Sequence, residues 1–297
     1  MTPPTAEPSV LASLALIQHL KRSPAEHKGD AGKVILIGGA PGMAGALVLA
    51  GNAALHLGAG WTILEMLDAS STQALIELPE LMVRLASPDP VERLVKSNPD
   101  LIAIGPGLGD SLMAQKWLEA SLSYPNIPLV IDADALNLIA DNKDFLIALQ
   151  KRNVNFPGLS VITPHPGEAA RLLKISSAQV QGDRLGTLNN LVKLTGSIVV
   201  LKGQHTLLAS PQDSSVQCNQ GNPGMGIGGM GDVLTGSIAA IAVQGIRHQL
   251  NLWSSTCIAV ELHASAADSL MNKGVGPIGL TPSETILEMR SLLNSFL

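Results

Sequence analysis

The stretch HKGDAGKVILIGGAPGMAGA, residues 27–46, carries the reading of the fold. After Lys33 the chain is apolar and β-branched or leucine for four residues, and Gly38 and Gly39 close the run. A proline–glycine turn follows, and then a small-residue helical pattern opens near Ala46. A strand apolar at every position is buried on both faces, which is the mark of a parallel sheet covered by helices. The same form recurs in WTILEML (61–67), DLIAIGPG (100–107), PLVIDAD (128–134), LSVITP (159–164) and SIVVLKG (197–203). Helical stretches at 46–57, 110–120, 166–173 and 183–194 separate many of these runs. The alternation predicts an α/β domain with a central, mostly parallel sheet flanked by helices in three layers. HTLLAS (205–210) and SVQCNQ (215–220) read as a hairpin, and 231–245, 252–271 and 283–294 read as helices. Residues 1–26 are expected to form a proline-containing tail with one short helix, and 27–297 a single domain.

Composition narrows the function. Of 297 residues, 46% are hydrophobic and 14% charged, so a large core is expected and disorder is not. Aromatic residues make up 2% and the formal net charge is −5. Nucleic-acid binding needs a basic footprint and, for single strands, aromatic platforms, so it is excluded as a function class. Cys218 and Cys257 stand alone, without a paired motif, which suits a reducing compartment. The mean hydropathy of +0.28 raises a membrane reading. The uncharged stretch between Lys33 and Glu65 is broken by seven glycines, Pro41, Asn52 and His56, short of the about 20 continuous apolar residues a span needs. The first ten residues lack the pattern of a signal peptide. A cytoplasmic protein without a membrane partner is expected.

Ligands in such sheets bind beyond the carboxyl ends of the strands. GGAPGMAGA (38–46) and IGPGLG (104–109) offer glycine-rich loops there, where backbone N–H groups can meet an anion. The first lacks the dinucleotide fingerprint, and no P-loop motif occurs anywhere. Asp132 and Asp134 end the fourth run and suit either a hydrated Mg²⁺ or polar substrate groups, or the capping of the helix that follows. His165, between two prolines, is a candidate ligand contact, and Glu168 suits the helix dipole behind it. Lys202 ends a strand otherwise without charge and faces either solvent or a phosphate. If it meets a phosphate, its loss is expected to cost affinity for that ligand more than stability.

GNPGMGIGGMGDVLTG, 221–236, holds seven glycines and one charge, Asp232. A helix N-terminus clear of side chains is an anion hole for a phosphoryl group. A carboxylate beside it is placed to accept a proton from an attacking hydroxyl, with helix capping as the simpler alternative. Together they point to phosphoryl transfer to an alcohol.

Six of these motifs, taken in order from HKGDAGKVILIGGAPGMAGA through IGPGLG, DADALN, TPHPGE and LKGQHT to GNPGMGIGGMGDVLTG, resemble the ADP-dependent NAD(P)H-hydrate dehydratases, repair enzymes with a ribokinase-like fold. The resemblance runs from about His27 to about Leu293. It implies phosphorylation of the C6 hydroxyl of hydrated NADH or NADPH (NADHX, NADPHX) from ADP, with Mg²⁺, followed by loss of phosphate. It also implies that Asp232 is the base, that Ala46, Gly107 and His165 line the hydrate site with it, and that Lys202, Gly203, Gln204, His205, Thr206 and Gly231 hold the nucleotide. A homotetramer is implied, with the NAD(P)H-hydrate epimerase expected on a separate chain, since only about 26 residues precede the match. A ribokinase-like kinase of a vitamin alcohol, such as a hydroxymethylpyrimidine or thiazole, is the rival enzyme. A nucleotide-binding sensor on the same fold is the non-enzymatic alternative.

Overall fold

The computed structural model describes residues 7–8, 15–73 and 78–297. It opens with β1 (Glu7–Pro8), a 3-10 turn at Ile17–Leu20, β2 (Lys33–Gly38), α1 (Ala44–His56), β3 (Trp61–Met66) and β4 (Met82–Leu85). Next come α2 (Pro90–Ser97), β5 (Leu101–Ile104), α3 (Leu112–Ser123), β6 (Leu129–Ile131), α4 (Ala133–Asp141) and α5 (Lys143–Asn155). β7 (Ser160–Ile162), α6 (Pro166–Leu173), α7 (Ser177–Gly182), α8 (Arg184–Thr195) and β8 (Ile198–Leu201) follow. The chain closes with β9 (Leu207–Ala209), β10 (Val216–Gln217), α9 (Met230–Gly245), α10 (Leu252–Asn272) and α11 (Pro282–Ser295).

Among the described residues the strands form one ten-stranded sheet in the order β1-β10-β9-β8-β7-β6-β5-β2-β3-β4. Every pairing from β8 across to β4 is parallel, and β9 runs antiparallel to β8 and β10. The apolar runs are buried on both faces because alternate side chains enter different layers. Val34, Leu36, Leu64, Ala103, Val130 and Val200 pack into the core built with α1, α9, α10 and α11. Ile35, Ile37, Ile63, Ile104, Ile131 and Leu201 pack into the core under α2 to α8. Each large aliphatic side chain so buried stabilises the fold by about 1.5–3 kcal/mol. The three-layer, mostly parallel α/β architecture is the one expected.

The sequence reading did not pick out β4, α2, α5 or α7. The expected tail falls partly outside the described residues, at 1–6 and 9–14. Within the described part, Glu7–Pro8 pairs with Val216–Gln217, and Ile17 and Leu20 are buried in the core shared by α1 and α9. No helix among the described residues is long and apolar enough to cross a membrane.

Candidate active site

β2 has β5 on one side and β3 on the other, so the strand order reverses there and opens a crevice at the carboxyl ends. The two glycine loops close its floor. Gly39 N–H donates to Pro106 O at 3.1 Å and Ala40 N–H to Gly107 O at 2.7 Å. Ala46, in the first turn of α1, faces Gly107: a Cβ on Gly107 would lie 3.3 Å from the Ala46 Cβ. These two expected hydrate-site residues are therefore neighbours.

Asp132, one residue past β6, is the hub. It is 1% exposed, and its Oδ1 accepts from Lys202 Nζ at 2.7 Å while Oδ2 accepts from Thr235 Oγ1 at 2.8 Å. The expectation that Asp132 or Asp134 caps the following helix is corrected by this geometry. Asp132 stands at the N-cap of α4 and makes no cap bond, because both oxygens are taken across the crevice. Asp134 turns instead to the Gly109 N–H at 2.9 Å, tying the second glycine loop to α4. Gly105, at φ +132°, has its α-carbon against the Asp132 backbone, where a Cβ would sit 1.8 Å from the carbonyl oxygen. Ala133, left-handed at φ +47°, starts α4 immediately after. A non-glycine residue held in that region is a strain that tends to mark functional sites.

α9 begins on Gly229, at φ +97°, with no side-chain cap bond. The first helical return bond is Val233 N–H to Gly229 O, which leaves the preceding amides of the turn without helical partners. Gly231 faces the pair just described, and a Cβ on it would lie 3.3 Å from Lys202 Nζ and 3.7 Å from Asp132 Oδ2. A side chain there would intrude on the space an anion needs. Asp232 follows in the first turn and does not cap the helix. Burial, then the charge of Asp132, pushes its carboxyl up to about 6 against the pull of Lys202. Burial alone would depress the Lys202 ammonium, yet Asp132 and Glu168 outweigh it and hold it above the ordinary lysine value.

His165 is the N-cap of α6. Its Nδ1 accepts from Gly167 N–H at 2.9 Å and Glu168 N–H at 3.4 Å, so the ring's proton is assigned to Nε2, 3.2 Å from Glu168 Oε1. Burial and Lys202 push its pKa down. Its side chain remains 55% exposed, so one ring edge is open. Glu168 is buried, closes the capping box on His165 N–H at 2.7 Å, and lies 3.9 Å from Lys202 Nζ. Burial raises its carboxyl to about 7, so dipole compensation is only part of its role.

The turn after β8 carries Gly203, Gln204, His205 and Thr206. Gln204 and His205 are exposed, and Thr206 Oγ1 donates to Gly203 O at 3.1 Å. Arg184, at the start of α8, braces this turn from behind, donating to Leu201 O at 3.1 Å, Lys202 O at 3.3 Å and His205 O at 3.5 Å. The structure thus gathers Lys202, Gly231 and Asp232 closely and sets Ala46 with Gly107, while His165 joins through Glu168. Thr235 and Arg184 were missed by sequence reasoning. Asp183, before Arg184, and the helical spacing of Thr235 from Asp232 are the local sequence signals that point to them.

The family model for NAD(P)H-hydrate dehydratases matches residues 34–288. The chain is 38% identical over 273 residues to the bifunctional NAD(P)H-hydrate repair enzyme Nnr of Escherichia coli, covering 92% of this chain and 50% of that protein. It is 36% identical over 285 residues to the ADP-dependent (S)-NAD(P)H-hydrate dehydratase of Neisseria meningitidis, covering 93% of this chain and 90% of that one. A ribokinase-like superfamily protein of Enterococcus faecalis has a solved structure 27% identical, with a TM-score of 0.79, covering 96% of this chain and 95% of that one. The chain spans about half the length of the bifunctional relatives it matches. The expected fold is thus the ribokinase-like one, and the chain belongs to the NAD(P)H-hydrate dehydratase family.

Proposed function

We propose that the chain carries out ADP-dependent dehydration of hydrated NADH and NADPH. The C6 hydroxyl of the hydrate attacks the β-phosphorus of ADP, its proton passes to Asp232, and AMP leaves. The phosphate ester is a far better leaving group than hydroxide. The ring-nitrogen lone pair expels it, and loss of the C5 proton restores NAD(P)H. The observation that carries this reading is Asp232 standing in the first turn of a helix whose N-terminal amides are uncapped, beside Gly231 and Lys202.

In this reading the α9 amides and Lys202 stabilise the transferring phosphoryl group, where fixed donors act at no reorganisation cost. The 202–206 turn, braced by Arg184, and Gly231 hold the nucleotide. Ala46, Gly107 and the exposed edge of His165 contact the hydrated nicotinamide with Asp232. No group of three or more His, Cys, Asp and Glu side chains is set to hold a metal among the described residues. Mg²⁺ keeps most of its ligands as water and phosphate oxygens, so these residues fit an ion that enters on ADP, and the Asp132 carboxylate would hold its hydration shell. Bound there, Mg²⁺ would offset charge on the phosphates.

The same reading includes a cytoplasmic homotetramer served by an NAD(P)H-hydrate epimerase on a separate chain. The match over 90% of the Neisseria protein supports a stand-alone dehydratase. The test is recovery of reduced-nicotinamide absorbance from hydrated NADH with ADP and Mg²⁺, with one phosphate released per NADH restored. A stable phosphorylated product, or turnover of a hydroxymethylpyrimidine or thiazole alcohol instead, would favour the vitamin-kinase alternative.

A further inference from the structure

The opposite end of the sheet, where β2 and β3 begin, holds a cavity of about 380 Å³ lined by Lys33, Trp61, Ile63, Arg84, Arg93 and Lys96. The register explains why these residues meet. Lys33 pairs with Trp61 across β2 and β3, and Glu65 pairs with Arg84 across β3 and β4. Residues two apart on a strand share a face, so Trp61, Ile63 and Glu65 line up under α2, which contributes Arg93 and Lys96.

Glu65 is fully buried, and among the described residues neither of its carboxylate oxygens has a hydrogen-bond partner. Arg93 Nε and Arg84 Nη1 stand 3.7 and 3.9 Å from its Oε1, beyond hydrogen-bond distance. The carboxylate therefore attracts both guanidiniums without using up their N–H groups, and both stay about a third exposed. Arg84 has a single further bond among the described residues, to Ser97 Oγ at 3.4 Å. Lys33 is tied to Ser97 O at 2.7 Å, and Lys28 Nζ lies 4.2 Å from the centre of the Trp61 ring. The chain has 19 Lys and Arg against 24 Asp and Glu, yet four cations line this cavity and a fifth adjoins it. Two nearby acids among the described residues are engaged: Glu65 lies beneath the arginines, and Asp100 accepts from the Lys33 backbone N–H at 2.8 Å. Positive charge concentrated in this way repels itself until an anion enters.

We propose that this cavity binds a phosphate-class oxyanion, either free or as the phosphate group of a small metabolite. Each guanidinium fork matches two oxygens of a tetrahedral anion, and Lys33 and Lys96 add point charges. The volume is near the lower end of the range for small-molecule sites, which suits a compact ligand and not a second dinucleotide.

The test follows the indole N–H signal of Trp61, assigned with Trp61→Phe, as the full chain is titrated with inorganic phosphate, pyrophosphate and glycerol 3-phosphate. A saturable shift is expected, with affinity lowered roughly tenfold or more in Arg84→Ala/Arg93→Ala. Lys96→Ala, on an exposed helix position, weakens binding as well and guards against misfolding of the double variant. Tighter binding of glycerol 3-phosphate than of phosphate assigns the site to a metabolite, and equal binding assigns it to the free anion. A Trp61 signal unmoved by all three probes, or a shift that the Arg and Lys96 variants leave intact, overturns the proposal.

Discussion

Lys202 Nζ lies 2.7 Å from Asp132 Oδ1, an ion pair that joins the ends of β8 and β6 across 70 positions of sequence. The Asp132 side chain is 1% exposed and that of Lys202 is 18% exposed, so the pair is largely withdrawn from water. This reverses the expectation that losing Lys202 leaves stability intact. Lys202→Ala removes the partner of a buried carboxylate, which typically costs about 3–5 kcal/mol. Urea unfolding should register a loss of that order. ADP affinity measured on the folded fraction should fall by about 1.5–3 kcal/mol. A variant that unfolds at the wild-type urea concentration would mean that Asp132 does not depend on Lys202.

Thr235→Val tests the other arm of the hub. The hydroxyl donates to Asp132 Oδ2 at 2.8 Å from one turn along α9, and the residue is fully buried. Valine keeps the shape and deletes the donor. The expected loss is about 1.5–3 kcal/mol, the range for a bond to a charged group. With Asp132→Asn the two changes should be non-additive by about 0.5 kcal/mol or more, because they share one bond. Strict additivity in a double-mutant cycle would show that the bond contributes nothing.

Much of the fold was readable because the sheet is parallel and buried. Runs such as 34–37 and 198–201 are apolar throughout, and glycine or proline ends them. The elements that escaped are short or carry their signal in one cap. Asp89 accepts from Glu92 N–H ahead of Pro90 in α2, and Ser176 forms a capping box with Gln179 in α7. β4 is a four-residue edge strand with mixed burial, and nothing in MVRL distinguishes it from a loop. At the site, strand-end position was legible and pairing was not. That Asp132 is spent on Lys202 and Thr235 depends on partners 70 and 103 residues away, and local pattern carries no information at that range. Capping, a local interaction, was one of the readings open for Asp132 and Asp134, and neither side chain makes that bond.

Glu65 gives a pH-dependent prediction outside the crevice. Burial, only partly offset by Arg93 and Arg84, raises its carboxyl from an ordinary glutamate value to about 7. A carboxyl raised on folding favours the folded state while protonated. That contribution is complete below about pH 4.5 and is lost as pH rises through about 7. Glu65→Gln never ionises. It should therefore be more stable than wild type by roughly 1–3 kcal/mol at pH 8, with the gap closing toward pH 5. Melting curves across that range decide the matter, and a gap that does not change with pH would place the Glu65 carboxyl near its ordinary value.

Asp232→Asn separates catalysis from structure in one residue. Asparagine keeps the size and loses the ability to take the hydroxyl proton. General-base catalysis is typically worth about 10²–10⁴-fold, so turnover of hydrated NADH should fall by that much. The fold should not suffer. Asp232 makes no cap bond in α9, and its carboxyl, raised to about 6, disfavours the folded state once pH passes that value. Above about pH 6 the variant should thus match or exceed the wild-type melting temperature, as expected where function is bought with stability. ADP affinity should hold or rise, since a negative charge leaves the phosphate site. In the wild type, kcat/KM should fall as pH drops through about 6, where the base protonates, and the residual activity of the variant should lack that limb. A well-folded Asp232→Asn protein that keeps more than about a tenth of the wild-type rate, with the acid limb intact, would assign the proton to another group. The raised carboxyl then left beside Lys202 is Glu168, held at about 7 and 3.9 Å from its Nζ.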